Sequence, residues 1–203
     1  MGRVVDFSRL ELKAGGDGAS RAAITKGDTR EFSAEYVRVA ADKSWSAAAP
    51  VGSDVYLFSM RGGGSIVAGQ YRRELPVQSF ATIGEGVGFT VSAAAKEPVE
   101  LIHVVTPVDG GTRTLPGFTA ALAVAERARE PVVPVPDQHK QRIYFAGHQH
   151  GAHTERGHAM IVVYDRETMT AAISSPRAAK SCSRAATSLN GRIDVSSAKA
   201  FGT

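Results

Sequence analysis

Short apolar segments alternate with glycine-rich turns between residues 31 and 106, and this rhythm is what most constrains the fold. These segments lie at residues 31–40, 55–60, 65–68, 78–83, 87–91 and 99–106, and residues 71–75 add a polar, extended segment. Three consecutive glycines at 62–64 and the sequence Gly84-Glu85-Gly86 supply turns between them. The stretch lacks the 3.6-residue periodicity of a helix. Short strands at this spacing predict an antiparallel sandwich or barrel.

One segment favours a helix. Residues 117–130, GFTAALAVAERARE, are rich in alanine, and apolar residues recur there at helical spacing: Phe118, Leu122 and Ala125. Pro116 precedes the segment and Pro131 ends it. The adjoining VVPVPD is expected to be extended because its prolines exclude a helix. We therefore expect residues 113–138 to be a helix and proline-rich linker.

The linker divides the chain into five predicted regions. Residues 1–30 form an N-terminal arm, 31–112 a barrel, and 139–175 the start of a second β unit. In that unit, 142–146 and 158–165 have strand character, and 167–173 is a candidate hairpin partner. Residues 176–203 are expected to be an irregular basic tail, in which only 193–195 is strand-like.

The positive charge belongs to the end of the chain. The net charge is +4, and residues 171–203 alone hold five cations and one anion. The remaining residues balance at 19 cations and 19 anions. A nucleic-acid-binding surface needs clustered cations, whereas those of the tail are dispersed. We expect no nucleic-acid partner.

Cys182 is the single cysteine, so no internal disulfide can form. The first 16 residues lack the apolar core of a signal peptide. The longest apolar stretches are far below the roughly 20 residues of a membrane span. These features predict a cytoplasmic protein with no membrane partner.

The segment SDVYLFSMRGGG, with Asp54 before an apolar strand and Gly62 at its turn, resembles the first motif of the cupin superfamily. The hairpin SIVAGQYRRELPVQ resembles the next strand pair of a cupin, and GEGVGFTVSAAAKEPVELIHVV resembles the second cupin motif. The resemblance implies an all-β, cupin-like double-stranded β-helix (a jelly-roll barrel) with one linker helix. The second unit then resembles the start of another barrel, as in two-barrel (bicupin) proteins.

The resemblance also implies where a metal would lie. Cupin enzymes hold a divalent metal with two histidines of an H-x-H pair, a glutamate and a later histidine. The corresponding places here fall near residues 47–49, which are alanines, at Asp54 and close to Phe89, so the first barrel is expected to be metal-free. Its aromatic residues are candidates for a ligand pocket or for plain core packing: Trp45, Tyr56, Phe58, Phe80 and Phe89.

Five of the six histidines lie between residues 139 and 158. His148, His150 and Glu155 match the H-x-H-x4-E spacing, and His158 adds a donor. Such a set would suit iron, manganese, nickel or zinc. Glycines at 147, 151 and 157 favour the alternative, a solvated loop.

Three functions remain open. The first is a metal-free barrel that binds a small molecule or supports a homodimer through exposed strand edges. The second is a metal-dependent cupin enzyme (dioxygenase, isomerase or lyase) that uses the histidine cluster. The third is a structural jelly-roll subunit of an assembly. A complete second barrel would need roughly 60 further residues, so we expect the second unit to be truncated, or the tail to result from a frame change near residue 174.

Overall fold

The computed structural model describes residues 6–25, 31–107, 115–135, 140–149, 151–164 and 193–195. In these ranges the chain forms strands and one 3-10 turn, Phe7–Arg9. None of the helical structure described there is long and apolar enough to cross a membrane. The strands are β1 (Lys13–Ala14), β2 (Ala19–Ala23), β3 (Ser33–Val39), β4 (Ser44–Ala48), β5 (Asp54–Arg61), β6 (Gly64–Ala68), β7 (Tyr71–Leu75), β8 (Ser79–Ile83), β9 (Gly88–Ala93), β10 (Val99–Thr106), β11 (Leu122–Glu126), β12 (Val132–Val135), β13 (Lys140–Gly147), β14 (Ala152–His153), β15 (Ala159–Tyr164) and β16 (Ile193–Val195).

Strands β3 to β10 form a jelly-roll barrel of two sheets. They are ordered β3-β10-β5-β8 in one sheet and β4-β9-β6-β7 in the other. The antiparallel pairs are therefore nested: β3 with β10, β4 with β9, β5 with β8, and β6 with β7. One long hairpin that rolls up on itself produces this nesting, which defines a jelly roll. The predicted all-β jelly-roll fold is confirmed.

The alternation of side chains separates the barrel interior from its outer face. On β5, Val55 and Leu57 pack in the interior, whereas Tyr56 and Phe58 lie on the opposite face. The interior is filled with large apolar side chains that are almost fully buried, among them Trp45, Leu57, Ile66, Leu75 and Leu101.

The N-terminal strands extend the larger barrel sheet. Strand β1 pairs with β2, and β2 pairs with β3, where Arg21 lies opposite Val37. Ala19 is buried in the barrel core. Part of the region expected to be an arm is thus paired with the edge of the barrel sheet.

The predicted helix over residues 117–130 is wrong. Strand β11 lies in this segment and pairs antiparallel with β8. The pairing satisfies backbone groups at the edge of β8 and packs Leu122 and Val124 against the barrel core. Helix propensities differ by only about 0.7 kcal/mol per residue among ordinary residues, so tertiary pairing outweighs the preference of alanine and leucine.

A third sheet packs on the outer face of the barrel. It contains β12, β13, β15 and β16, and β14 pairs with β13. Ile143 and Phe145 of β13 contact that face, where the Phe145 ring stacks on Phe80 with centroids 5.2 Å apart. The strands predicted at 142–146 and 158–165 appear as β13 and β15, while the hairpin partner predicted at 167–173 lies outside the described residues.

Candidate functional site

The five aromatic residues predicted to line a pocket lie on two different faces. Trp45 and Phe89 are in the barrel interior, where their rings meet edge to face with centroids 5.4 Å apart. Tyr56, Phe58 and Phe80 lie on the outer face of the larger sheet, against the third sheet. The fold therefore does not gather these five side chains around one space.

At the positions where the cupin resemblance implies metal ligands, no side chain offers a metal-binding atom to the barrel interior. Ala49 and Phe89 belong to the apolar core, and Ala47 packs against it. Asp54 is fully buried, but its carboxylate contacts the linker and the third-sheet unit. At residues 47, 49 and 89 the interior therefore offers apolar side chains where a metal would need oxygen or nitrogen.

A buried histidine that the sequence analysis missed lies in the barrel. His103 Nδ1 is 2.8 Å from Glu35 Oε1, and the imidazole packs on Trp45 and Phe89 with centroids 5.3 and 6.2 Å away. Its Nε2 is buried with no hydrogen-bond partner in the described part of the chain. The hydrogen bond with His103 holds the pKa of Glu35 below its ordinary value. Alternation along β10 places residue 103 in the interior, and that signal was available in the sequence.

The histidine cluster is only partly assembled. His148 Nδ1 lies 3.5 Å from Glu155 Oε1, while His158 packs on the ring of Tyr144 at 5.4 Å. His153 hydrogen-bonds the carbonyl of His148 through Nδ1 at 3.0 Å. His150 lies outside the described residues. Within the described ranges, no three histidine, cysteine, aspartate or glutamate side chains converge as a metal site.

The polar contacts between the barrel and the rest of the chain centre on Asp54. Thr154 donates its hydroxyl to Asp54 Oδ2 at 2.5 Å. The backbone N–H of Phe118 donates to both carboxylate oxygens at 3.1 and 3.2 Å. Arg156 Nη1 lies 3.4 Å from Oδ1. Burial raises the pKa of Asp54, and these hydrogen bonds oppose the rise.

Arg156 extends this network to the surface. Its Nη1 also donates to Glu85 Oε2 at 2.5 Å, and its Nε donates to the carbonyl of Leu115 at 2.9 Å. The hydrogen bond from Arg156 lowers the pKa of Glu85, whose side chain is 45% exposed. A guanidinium carries five N–H groups, and the two on Nη2 make no hydrogen bond within the described structure.

Two glycines make this arrangement sterically feasible. A Cβ on Gly117 would lie 2.4 Å from Nη1 of Arg156, so only glycine lets the guanidinium cross the backbone here. A Cβ on Gly84 would lie 2.6 Å from the carbonyl oxygens of Phe118 and Ala120. Glycine at 84 therefore lets the linker approach the β8–β9 turn.

A cleft of about 250 Å³ opens beside this guanidinium. Its wall consists of Gly84, Glu85, Val87, Gly117, Phe118, Thr119, Ala120 and Arg156. The Arg156 side chain is only 12% exposed. A wider groove of about 450 Å³ lies beside β6 and β7, but its charged residues, Arg72 and Glu74, are both exposed. Of these two spaces in the described part of the chain, the cleft at Arg156 is the one lined by a largely buried charge.

No protein-family model matches the sequence, and no curated protein matches it significantly. The structure is similar to that of the "Putative Glyoxylate Induced Protein" from Pseudomonas aeruginosa, with a TM-score of 0.59 and 15% identity over 74% of this chain and 58% of that one. It is also similar to the cupin domain of Schizosaccharomyces pombe Cnp3, with a TM-score of 0.45 and 12% identity over 51% of this chain and 73% of that one. It is similar as well to a cupin 2 conserved barrel domain protein from Salinispora arenicola, with a TM-score of 0.44 and 16% identity over 56% of this chain and 94% of that one.

The chain has the cupin fold. At these identities the similarity concerns the fold alone, which the nested strand pairing also establishes. The chain spans 58% of the length of the Pseudomonas protein. The cupin barrel is residues 33–106, and the cleft at Arg156 lies outside its interior, between the β8–β9 turn and the linker.

Proposed function

We propose that this protein is a metal-free cupin barrel that binds a small molecule in the cleft beside Arg156. The observation that carries the proposal is a cleft-lining guanidinium that has three fixed contacts and whose Nη2 makes no hydrogen bond within the described part of the chain. A fixed donor in a concave, partly apolar site is what orients a small ligand. Since a water molecule takes about 30 Å³ in the liquid, the cleft has room for a ligand with the volume of roughly eight water molecules.

The barrel interior is less suited to this role. Trp45 and Phe89 are 2% and 3% exposed, and the aliphatic residues around them are closely packed. A ligand that entered there would have to displace core side chains, and displacement of well-packed groups is costly. The cleft needs no such rearrangement.

Binding can be tested with small amides, carboxylates, ketones and alcohols, by saturation-transfer NMR and then titration calorimetry. Arg156→Lys keeps a positive charge near Asp54 but lacks the planar fork of five donors. We expect a ligand of the wild-type protein to bind Arg156→Lys at least tenfold more weakly. Arg129→Lys is the matched control, because the Arg129 side chain is 78% exposed on the turn after β11. Equal binding to wild type and Arg156→Lys would contradict the proposal.

A metal site at the histidine cluster is a second candidate. The observation in its favour is the contact between His148 and Glu155, which brings together two of the four predicted ligands. The proposal predicts about one iron, manganese, nickel or zinc ion per untagged chain, lost on replacement of His148 and His150 by alanine. Metal content that is negligible, or unaffected by the double replacement, would refute it.

A homodimer also stays a prediction. Strand β7 is at the edge of the smaller barrel sheet and exposes four consecutive side chains, Tyr71 to Glu74. An edge strand leaves backbone N–H and C=O groups unpaired, and a second chain can pair with them. Light scattering at several concentrations would give twice the monomer mass if such pairing occurs and the monomer mass if it does not.

A further inference from the structure

We infer that the cleft selects a primary carboxamide over the carboxylate of the same shape, and that Glu85 is the residue that sets this preference. The inference rests on the proposed function, because it specifies the ligand class of the same cleft. The inference is based on which nitrogen and oxygen atoms of Arg156 and Glu85 already make hydrogen bonds within the protein and which make none in its described part.

Arg156 presents donors only. Nε is used by the carbonyl of Leu115, and Nη1 is shared by Asp54 and Glu85. Paired binding of a carboxylate needs parallel N–H groups on two nitrogen atoms. Since only Nη2 is open, a ligand can accept hydrogen bonds from a single nitrogen. This geometry suits one carbonyl oxygen and gives a carboxylate no paired contact.

Glu85 presents an acceptor beside that donor. Its Oε2 accepts from Arg156 Nη1 at 2.5 Å and from the backbone N–H of Gly52 at 3.0 Å. Its Oε1 makes no hydrogen bond within the described part of the chain. Arg156 and Glu85, two paired side chains that line the cleft, thus carry an open N–H donor and an open carboxylate acceptor. A primary amide carries the complementary carbonyl oxygen and N–H groups on one carbon.

Charge works in the same direction. Arg156 contributes one positive charge, and Asp54 and Glu85 contribute one negative charge each when ionised. Because Arg156 lowers its pKa, Glu85 is ionised at neutral pH. A bound carboxylate would lie near the Glu85 carboxylate, cannot donate to Oε1, and would meet like-charge repulsion. A neutral amide avoids both penalties.

The test compares lactamide with lactate, which have the same shape, by calorimetric or NMR titration at neutral pH and low salt. The proteins are wild type, Glu85→Gln, Arg156→Lys and Glu97→Gln. Glu97 is exposed in the loop before β10, so its replacement removes the same charge away from the cleft. Glutamine at 85 keeps an oxygen that can accept from Gly52 and Arg156, and the variant is expected to fold.

We expect wild type and Glu97→Gln to bind lactamide at least tenfold more tightly than lactate. Glu85→Gln should reduce that ratio at least tenfold, mainly through tighter lactate binding, and Arg156→Lys should weaken both ligands. Binding that depends on Arg156 but shows the same ratio in wild type and Glu85→Gln would overturn the inference and leave the proposed function standing. If neither compound binds to any of the four proteins, the inference is overturned. A wild-type preference for lactate would overturn it as well.

Discussion

The guanidinium of Arg156 contacts the fully buried carboxylate of Asp54, 102 residues earlier in the chain, and crosses the backbone at Gly117 to do so. This contact joins strand β5 of the barrel to the loop that precedes β15. The same guanidinium forms part of the cleft wall. The joint between the cupin barrel and the third sheet and the proposed ligand site are therefore one structure.

Gly117→Ala should disturb this joint without removing a charge. The added Cβ would lie 2.4 Å from Nη1 of Arg156, and the guanidinium would have to move. We expect a loss of about 1–3 kcal/mol in the free energy of unfolding, in the range of other overpacked sites. Chemical denaturation measures it. Gly63→Ala is the control, because a Cβ there meets nothing within 4 Å and no positive φ is required. Equal stability of both variants would count against the close approach.

The Asp54–Arg156 contact should appear as an energetic coupling. Arg156→Met leaves a buried carboxylate with fewer partners, and loss of one member of a buried pair costs about 3–5 kcal/mol. Arg156→Met should destabilise the protein less when Asp54→Asn is also present. A double-mutant cycle should then give a coupling free energy of about 1–3 kcal/mol between the two residues. Strict additivity of the two single changes would show that the side chains do not interact.

The Glu35–His103 pair should make stability depend on acidic pH. The hydrogen bond with His103 lowers the pKa of Glu35 in the folded protein. A group with a lowered folded pKa stabilises the protein above its unfolded pKa, and this stabilisation disappears as the pH falls through the folded pKa. We therefore expect the free energy of unfolding to decline below about pH 4.3, the ordinary pKa of glutamate. Glu35→Gln should flatten that decline in unfolding measurements from about pH 3 to 6; an unchanged profile would exclude this pair as its origin.

Phe145 should be essential for attachment of the third sheet. Its ring is 2% exposed and stacks on Phe80. Phe145→Ala removes a large buried side chain, which costs about 3–5 kcal/mol. Val132→Ala changes a residue that is 51% exposed and should cost less than about 0.5 kcal/mol. Thermal unfolding of the two variants compares them, and similar melting temperatures would contradict the packing of the sheet on the barrel.

Much of the barrel was predictable because its strands carry local signals. The apolar run at 55–60 and the β-branched run at 99–106 became β5 and β10, since burial on both faces requires such runs. The helix prediction failed at β11 because local alanine content says nothing about an available sheet edge. The ends of the strands were harder to predict than their centres, because the strands end in turns whose backbone conformation depends on neighbouring segments.

The candidate site was harder to predict. Asp54 was singled out by its place before the strand, yet its side chain lies on the outer face, which the alternation from Val55 and Leu57 would have indicated. Arg156 belongs to no motif, and its partners come from separate parts of the chain. Gly117 had the appearance of a helix start. Only the folded arrangement shows that its missing side chain makes room for the guanidinium.

The central claim is that the ligand site of this cupin barrel is the cleft at Arg156, outside the barrel interior. The most direct test is a crystal structure of the protein soaked with lactamide. We predict density in the cleft, with the amide oxygen within hydrogen-bonding distance of Arg156 Nη2 and the amide nitrogen facing Glu85. Lactamide bound in the barrel beside Trp45, Phe89 and His103, with the cleft unoccupied, would contradict it.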